Sequence, residues 1–180
     1  MTFEETNLYG CYCITPEILR DDRGTFVKTF HHDLFVEKKL AVDFREEYFT
    51  YSIKNVLRGM HFQVPPQDHE KLVYCILGSA LDAVVDLRQN SPTFGRSVSI
   101  ELSDKNSRII YIPKGMAHGF YVTGDNALMV YKVTTMYDPA CDAGVRWDSC
   151  GISWPSKNPI LSKRDQLFPS LDNFNNPFSI

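Results

Sequence analysis

Between about residue 70 and residue 137 the chain alternates apolar and polar positions with a period of two. In "ALDAVVDLR", Leu81, Ala83, Val85 and Leu87 alternate with Asp82, Val84, Asp86 and Arg88; in "VSIEL", Val98, Ile100 and Leu102 alternate with Ser99, Glu101 and Ser103. Successive side chains of a strand point to opposite faces, so this period predicts β-strands. The same logic puts Ala127, Met129, Tyr131, Val133, Thr135 and Tyr137 on one face of "ALMVYKVTTMY". "SPTFG", "SDKNS", "PKG" and "TGDN" supply turns between the runs. Short strands at this spacing indicate an antiparallel sandwich or barrel. Helical spacing is confined to the ends. Leu34, Phe35 and Leu40 share a face over residues 32–40, and Ser162 and Asp165 have the S-x-x-D spacing of a capping box. With no internal repeat or low-complexity linker, the expected organisation is one domain. An N-terminal arm of strands and helix covers 1–45, a β core covers 46–140 and a C-terminal segment covers 141–180. The last ten residues, "LDNFNNPFSI", are expected either to be loose or to pack on a partner.

Composition narrows the classes. The chain has 180 residues, 43% hydrophobic and 23% charged, which suits one globular domain with a substantial core. A net charge of -3 without any basic stripe argues against a nucleic-acid partner. The polar, acidic start "MTFEETNLYG" has no apolar h-region and no run approaches a membrane span, so a cytoplasmic protein with no membrane partner is expected. Five cysteines, an odd number with no CxxC pair, support neither a disulfide framework nor a zinc ribbon. Cys11 and Cys13 would share one strand face, as packing residues.

The candidate chemistry concentrates in "VLRGMHFQVPPQDHEKLVYCILG", residues 56–78, where His61 sits in a strand-like run. His61 could be a metal ligand, a proton-transfer base or a core histidine. In "IPKGMAHGF", Pro113, Gly115 and His118 have the PxGxxH spacing that resembles the second motif of the cupin jelly rolls. The first cupin motif has an HxH pair followed by a Glu. Here the triplet is His61-Phe62-Gln63, and Glu70 lies farther downstream than the motif usually places it. A first-row metal wants three or four N/O donors from fixed positions. His61, His118 and Glu70 are a thin set, so the expectation is a mainly β, cupin-type double-stranded β-helix with no metal.

Read as HxQ, the triplet and its surroundings resemble the dTDP-4-dehydrorhamnose 3,5-epimerase family. "DDRGTFVKTF" (21–30), "VLRGMHFQ", "KLV", "VDLRQNSPTFG" (85–95), "IPKGMAHGF", "VYKVTTMYDP" (130–139), "WP" (154–155) and "LSKRD" (161–165) follow in the family's order. The resemblance implies an epimerase of a nucleotide-diphosphate 4-keto-6-deoxy sugar, acting at C3, C5 or both, with no cofactor. The 4-keto group acidifies the neighbouring C–H bonds, so one base, one acid on the other face and a stabilised C4 oxygen suffice. By resemblance His61 is the base, oriented by Asp165, and Tyr131 is the acid. Lys71 and His118 lie near the keto oxygen and hydroxyls, and Tyr137 forms a stacking wall. Arg23, Arg58 and Arg164 contact the diphosphate or sugar, and Gln63 and Asp142 complete the site. A homodimer is also implied, its arm carrying Arg23 and Lys28 to the neighbouring subunit's ligand. Strict alternation puts Arg58 and His61 on opposite faces, so Gly59 is expected to mark a bulge or a strand end.

Some positions depart from the family. Lys28 stands where a Glu is common, and Glu46-Glu47-Tyr48 replace a Gln-Asp-Asn-like run. An ammonium cannot accept a proton from thymine N3–H. Cytosine acceptors would suit Lys28, whereas Glu46 or Glu47 could take the donor edge of guanine. "RWDSCGISWP" is shorter than the usual loop, and Asp142 replaces a common Glu. The rival readings are a sugar-nucleotide 3,4-ketoisomerase, a metal-dependent cupin enzyme and a non-catalytic sugar-binding cupin.

Overall fold

The computed structural model describes residues 1–179. Its frame is two long antiparallel strands, β7 (Lys71–Asp86) and β10 (Met116–Val133). The turn signals predict shorter strands; instead both strands run through a corner and serve two sheet layers. The N-terminal half of β7 pairs with β9 (Ile109–Ile112) and its C-terminal half with β8 (Ser97–Ser103). The first half of β10 pairs with β6 (Leu57–Gln63), and its second half with β5 (Glu46–Ile53). β11 (Asp142–Gly144) extends the β6 edge, while β1 (Thr2–Glu5) and β2 (Tyr12–Thr15) extend the β9 edge. This is the expected double-stranded β-helix.

The corner lies where the register between β7 and β10 jumps, between Val122 and Ala127. Gly78 sits at it with φ +79, and a Cβ there would meet the Asn126 carbonyl oxygen at 1.9 Å. Only glycine fits both the dihedral and the space.

Three apolar clusters follow from the layers. Val73, Val84, Ile110, Phe120 and Met129 fill the barrel interior. Met60, Phe62, Ala83, Val85 and Leu87 back onto Val145, Cys150 and Phe178, so the C-terminal segment covers one outer face. Leu72, Tyr74, Ile109 and Tyr111 back onto Ile14 and Phe35, so the N-terminal arm covers the other. Both faces of "ALDAVVDLR" are therefore buried, Asp82 and Asp86 included. Burying a carboxylate requires partners. Asp86 accepts from Arg88 at 2.8 Å, Ser91 at 2.5 Å and Thr93 at 2.6 Å, which explains the polar residues of "VDLRQNSPTFG".

The predicted helix over 32–40 is shorter, α1 spanning His32–Glu37, and Lys39 leaves it at φ +58. Over its described residues the C-terminal tail packs on its own chain. Phe174 and Phe178 pack on Phe62 with ring centroids 5.1 and 5.5 Å away, and Gln89 N–H donates to the Phe178 carbonyl. Ile180, the last residue of that expectation, lies outside the described residues. All five cysteines are free; Cys11 is buried in the interior cluster, and Cys13 lies on β2.

Gly78→Ala should cost roughly 2–4 kcal/mol through backbone strain and the clash with Asn126. Urea unfolding of the two proteins, compared at equal m-value, checks this.

Candidate active site

A cavity of about 440 Å³ opens between the two layers, walled by β5, β6, β7 and β10. His61 lies on β6, where a one-residue bulge sets its direction. His61 pairs with His118 and Arg58 with Phe120, so three steps on β6 match two on β10. Gly59 occupies the bulge at φ +153, and a Cβ there would come 2.7 Å from Gly119 Cα. The extra residue turns Arg58 and His61 toward the same cavity. Arg58 is steadied by its Nε–H donating to Ser52 Oγ at 2.9 Å.

His61 meets Asp165 across the chain. Nε2 donates to Asp165 Oδ1 at 3.0 Å, which assigns the lone pair of the neutral ring to Nδ1. Asp165 is buried, its Oδ2 accepting from the Gly59 N–H at 3.2 Å. It also occupies the first turn of α2 (Lys163–Leu167), where its own N–H donates to Ser162 Oγ at 3.1 Å. The capping and dyad readings of "LSKRD" therefore coexist: the cap fixes the backbone and the side chain reaches His61. Burial alone would raise the Asp165 pKa, but the hydrogen bonds from His61, Ser162 and Gly59 bring it down to about 2. Burial lowers the His61 pKa below its ordinary value, against the pull of Asp165. The ring is thus neutral and basic at neutral pH.

Tyr131 projects from β10 into the cavity, as the alternation predicts, and burial pushes its phenol well above the usual range. Lys71 is not a solvated strand-end lysine, the commonest setting for that residue type. It is buried at the start of β7, with Nζ donating to the His61 carbonyl at 3.1 Å. Burial lowers its pKa to about 8, with Asp142 and Asp82 opposing. His118 is held by Asp82, Nε2 to Oδ2 at 2.7 Å, both fully or nearly fully buried.

At the mouth, Arg164 pairs with Asp142, and the Tyr137 hydroxyl donates to Asp142 at 3.4 Å. Glu46 and Tyr48 line the β5 wall. Other expected site residues lie elsewhere. Glu47 faces away because of alternation on β5, and pairs with Lys132 at 2.9 Å. Arg23 and Lys28 are not among the cavity residues. Arg23 sits at the tip of the hairpin of β3 (Ile18–Asp21) and β4 (Gly24–Val27), paired with Asp21. Gln63 lines the cavity, but its amide is engaged with backbone. Nε2 donates to the carbonyls of Gln67 and Met136 at 2.9 and 3.1 Å, and Oε1 accepts from Asp138 N–H at 2.7 Å. It positions the loop that carries Tyr137.

Sequence reasoning passed over Asp82 and His69. Asp82 had a signal, a carboxylate on the Val84 face of an apolar strand without the neighbouring arginine that Asp86 has in Arg88. His69, whose Nδ1 lies 3.0 Å from Thr135 Oγ1, is held neutral by burial and by Lys71, its pKa lowered to about 3. The residues of the expected cupin donor set are each engaged within the protein. His61 and His118 each spend Nε2 on an aspartate, and the Glu70 carboxylate accepts from Thr134 at 2.7 Å. Among the described residues no group of three His, Cys, Asp or Glu could hold a metal ion.

The sequence profile of the family described as dTDP-4-dehydrorhamnose 3,5-epimerase matches residues 5–173. The dTDP-4-dehydrorhamnose 3,5-epimerase of Methanothermobacter thermautotrophicus is 42% identical, covering 94% of both chains. A dTDP-4-dehydrorhamnose 3-epimerase of Streptomyces niveus is 36% identical over 92% of this chain and 82% of its own. Among solved structures, an epimerase of Legionella pneumophila in complex with dTDP-4-keto-L-rhamnose superposes with a TM-score of 0.92. It is 35% identical and covers 97% of this chain and 94% of its own. On the profile match, the near full-length relatives and the shared fold, this chain belongs to the dTDP-4-dehydrorhamnose 3,5-epimerase family.

Proposed function

We propose that the protein epimerises a nucleotide-diphosphate 4-keto-6-deoxy sugar by enolisation and reprotonation. The observation that carries this is the His61–Asp165 pair and the Tyr131 phenol opening onto one cavity. His61 takes the proton from carbon, and the C–H electrons move to the C4 oxygen as an enolate. Tyr131 O–H then protonates that carbon from the other face, and solvent restores both groups. Lys71 and His118 stabilise the enolate oxygen, a positive charge in a low-dielectric wall being strongest where charge develops. Asp82 holds His118 in one orientation. Arg58 and Arg164 suit phosphate oxygens, and Tyr137 offers a ring at the mouth. The reaction in this reading needs no metal, because the 4-keto group already acidifies the neighbouring C–H bonds, and the five free cysteines suit a cytoplasmic protein.

The dTDP sugars are the first substrates to try, because the relatives are named for them. Glu46 on the cavity wall makes a GDP sugar the second, and Lys28 a CDP sugar the third. The relatives include both 3,5- and 3-epimerases, so one or two centres is decided by measurement.

The protein acts as a homodimer in this reading. The outward face of β5 exposes Phe49, Tyr51 and Ile53, a contiguous apolar row of the kind that marks a protein–protein surface. Arg23 and Lys28 lie outside their own cavity, consistent with an arm that completes the partner's site.

Proton NMR in D2O with dTDP-4-keto-6-deoxyglucose and a chelator tests the chemistry. Wild type should wash out H3, H5 or both, and His61→Ala should lose this by at least about 100-fold. Persistence of exchange in His61→Ala removes His61 as base. Turnover against pH should be a bell. The acid limb lies below pH 6.5, where His61 becomes protonated, and the basic limb lies near pH 8, where Lys71 loses its charge. Phe49→Glu combined with Tyr51→Glu should convert a dimer to a monomer by light scattering and lower turnover together with it.

A further inference from the structure

We infer that Tyr48 is a positioning residue for the proposed acid, its ring clamping Tyr131 at the angle from which a proton returns to carbon. The inference rests on the function proposed above, in which Tyr131 and His61 work from opposite faces of the sugar.

β5 and β10 pair antiparallel with Tyr48 directly opposite Tyr131. Directly opposite side chains are the closest neighbours an antiparallel ladder provides. The two rings lie nearly parallel, their centroids 4.9 Å apart and their planes 13° from one another. That is the offset stack that aromatic quadrupoles favour. The imidazole of His118 meets the Tyr131 ring edgewise at 5.9 Å and 69°. His118 cannot yield, because Asp82 holds its Nε2 at 2.7 Å. The strand ladder fixes the Tyr131 backbone, and the Tyr48 and His118 rings fix its side-chain torsions. Tyr48 itself is 43% exposed, against 6% for Tyr131. It therefore contributes less to the packed interior than to the orientation of its neighbour.

Orientation matters because the enolate has two fates. A proton delivered by Tyr131 from the far face inverts the carbon. A proton returned by His61 from the near face, after exchanging with solvent, gives isotope exchange and the original configuration. A loosened Tyr131 shifts the enolate toward the second fate while the deprotonation step continues. The ratio of inversion to exchange thus reports the clamp, whereas general damage to the fold lowers both rates together.

The test compares wild type with Tyr48→Ala, Tyr48→Leu and Tyr48→Phe by NMR in D2O, on a 4-keto-6-deoxy sugar that the wild type turns over. Inversion per exchange event should fall about tenfold in the Ala and Leu variants, the scale expected when a reacting group is displaced by a fraction of an ångström. Tyr48→Phe, which keeps the ring, should hold the ratio within about twofold of wild type. An unchanged ratio in Tyr48→Ala, an equal fall of both rates, or a Tyr48→Phe variant as impaired as Tyr48→Ala overturns the inference. A second readout needs no substrate. In ligand-free protein carrying 13C-labelled tyrosines, Tyr131 ring flips should accelerate by at least about tenfold in the Ala and Leu variants and not in the Phe variant. Equal flip rates overturn the clamp whatever the substrate. A wild type inert toward every nucleotide sugar, with flip rates that respond as expected, overturns the proposed function and leaves the clamp.

Discussion

The buried carboxylate of Asp165 ties the reactive part of the molecule together. A charge out of water needs hydrogen-bond partners, and the carboxylate finds them in His61 on β6 and the Gly59 N–H in the bulge of β6, while the Asp165 backbone N–H donates to Ser162 at the start of α2. Each partner constrains another. The bulge turns Arg58 and His61 to one side, and its amide is free for Asp165 because the ladder is interrupted there. The five-residue α2 is too short to be stable by propensity. Its cap and its carboxylate dock it on β6, and so bring Arg164 to the cavity mouth.

The cavity itself is an electrostatic arrangement of buried charges. Lys71 and Asp82 are both buried, and His118 stands beside Asp82. Lys71 loses hydration and, among the described residues, finds only the His61 carbonyl within hydrogen-bond distance, which leaves its charge available to a ligand. Asp82 is oriented by His118 through one oxygen, while its Oδ1 has no partner among the described residues. Buried groups left partly unpaired cost stability, and here they surround the place where a carbonyl oxygen would acquire charge. The Asp86–Arg88 cluster is the contrast. It is closed by Ser91, Thr93 and the Tyr9 carbonyl, with nothing left to offer a ligand.

Much of this was legible in the chain. Period-two alternation identified the strands and put Tyr131 on the interior face, because a pleated backbone leaves a side chain no third direction. The conflict between Arg58 and His61 under strict alternation pointed to Gly59 as a bulge. The spacing in "LSKRD" identified a helix start, and the order of the motifs identified the family. The same alternation separates Glu47 from Glu46 and Tyr48: it points away from the cavity and pairs with Lys132 instead.

Tertiary structure decided the rest, since the deciding contacts are remote in sequence. Turn residues between β-runs cannot tell a chain reversal from a corner within one continuous strand, and the pairing of β7 with β10 makes 71–86 and 116–133 single strands. The pairing of Asp82 with His118 depends on two strands meeting in register. The coverage of β6 by Phe174 and Phe178 depends on the path of a tail whose composition reads as polar. Local pattern determines which way a side chain points along its own strand. Which groups it then meets is set by strand register and layer packing, and those are properties of the assembled sheet.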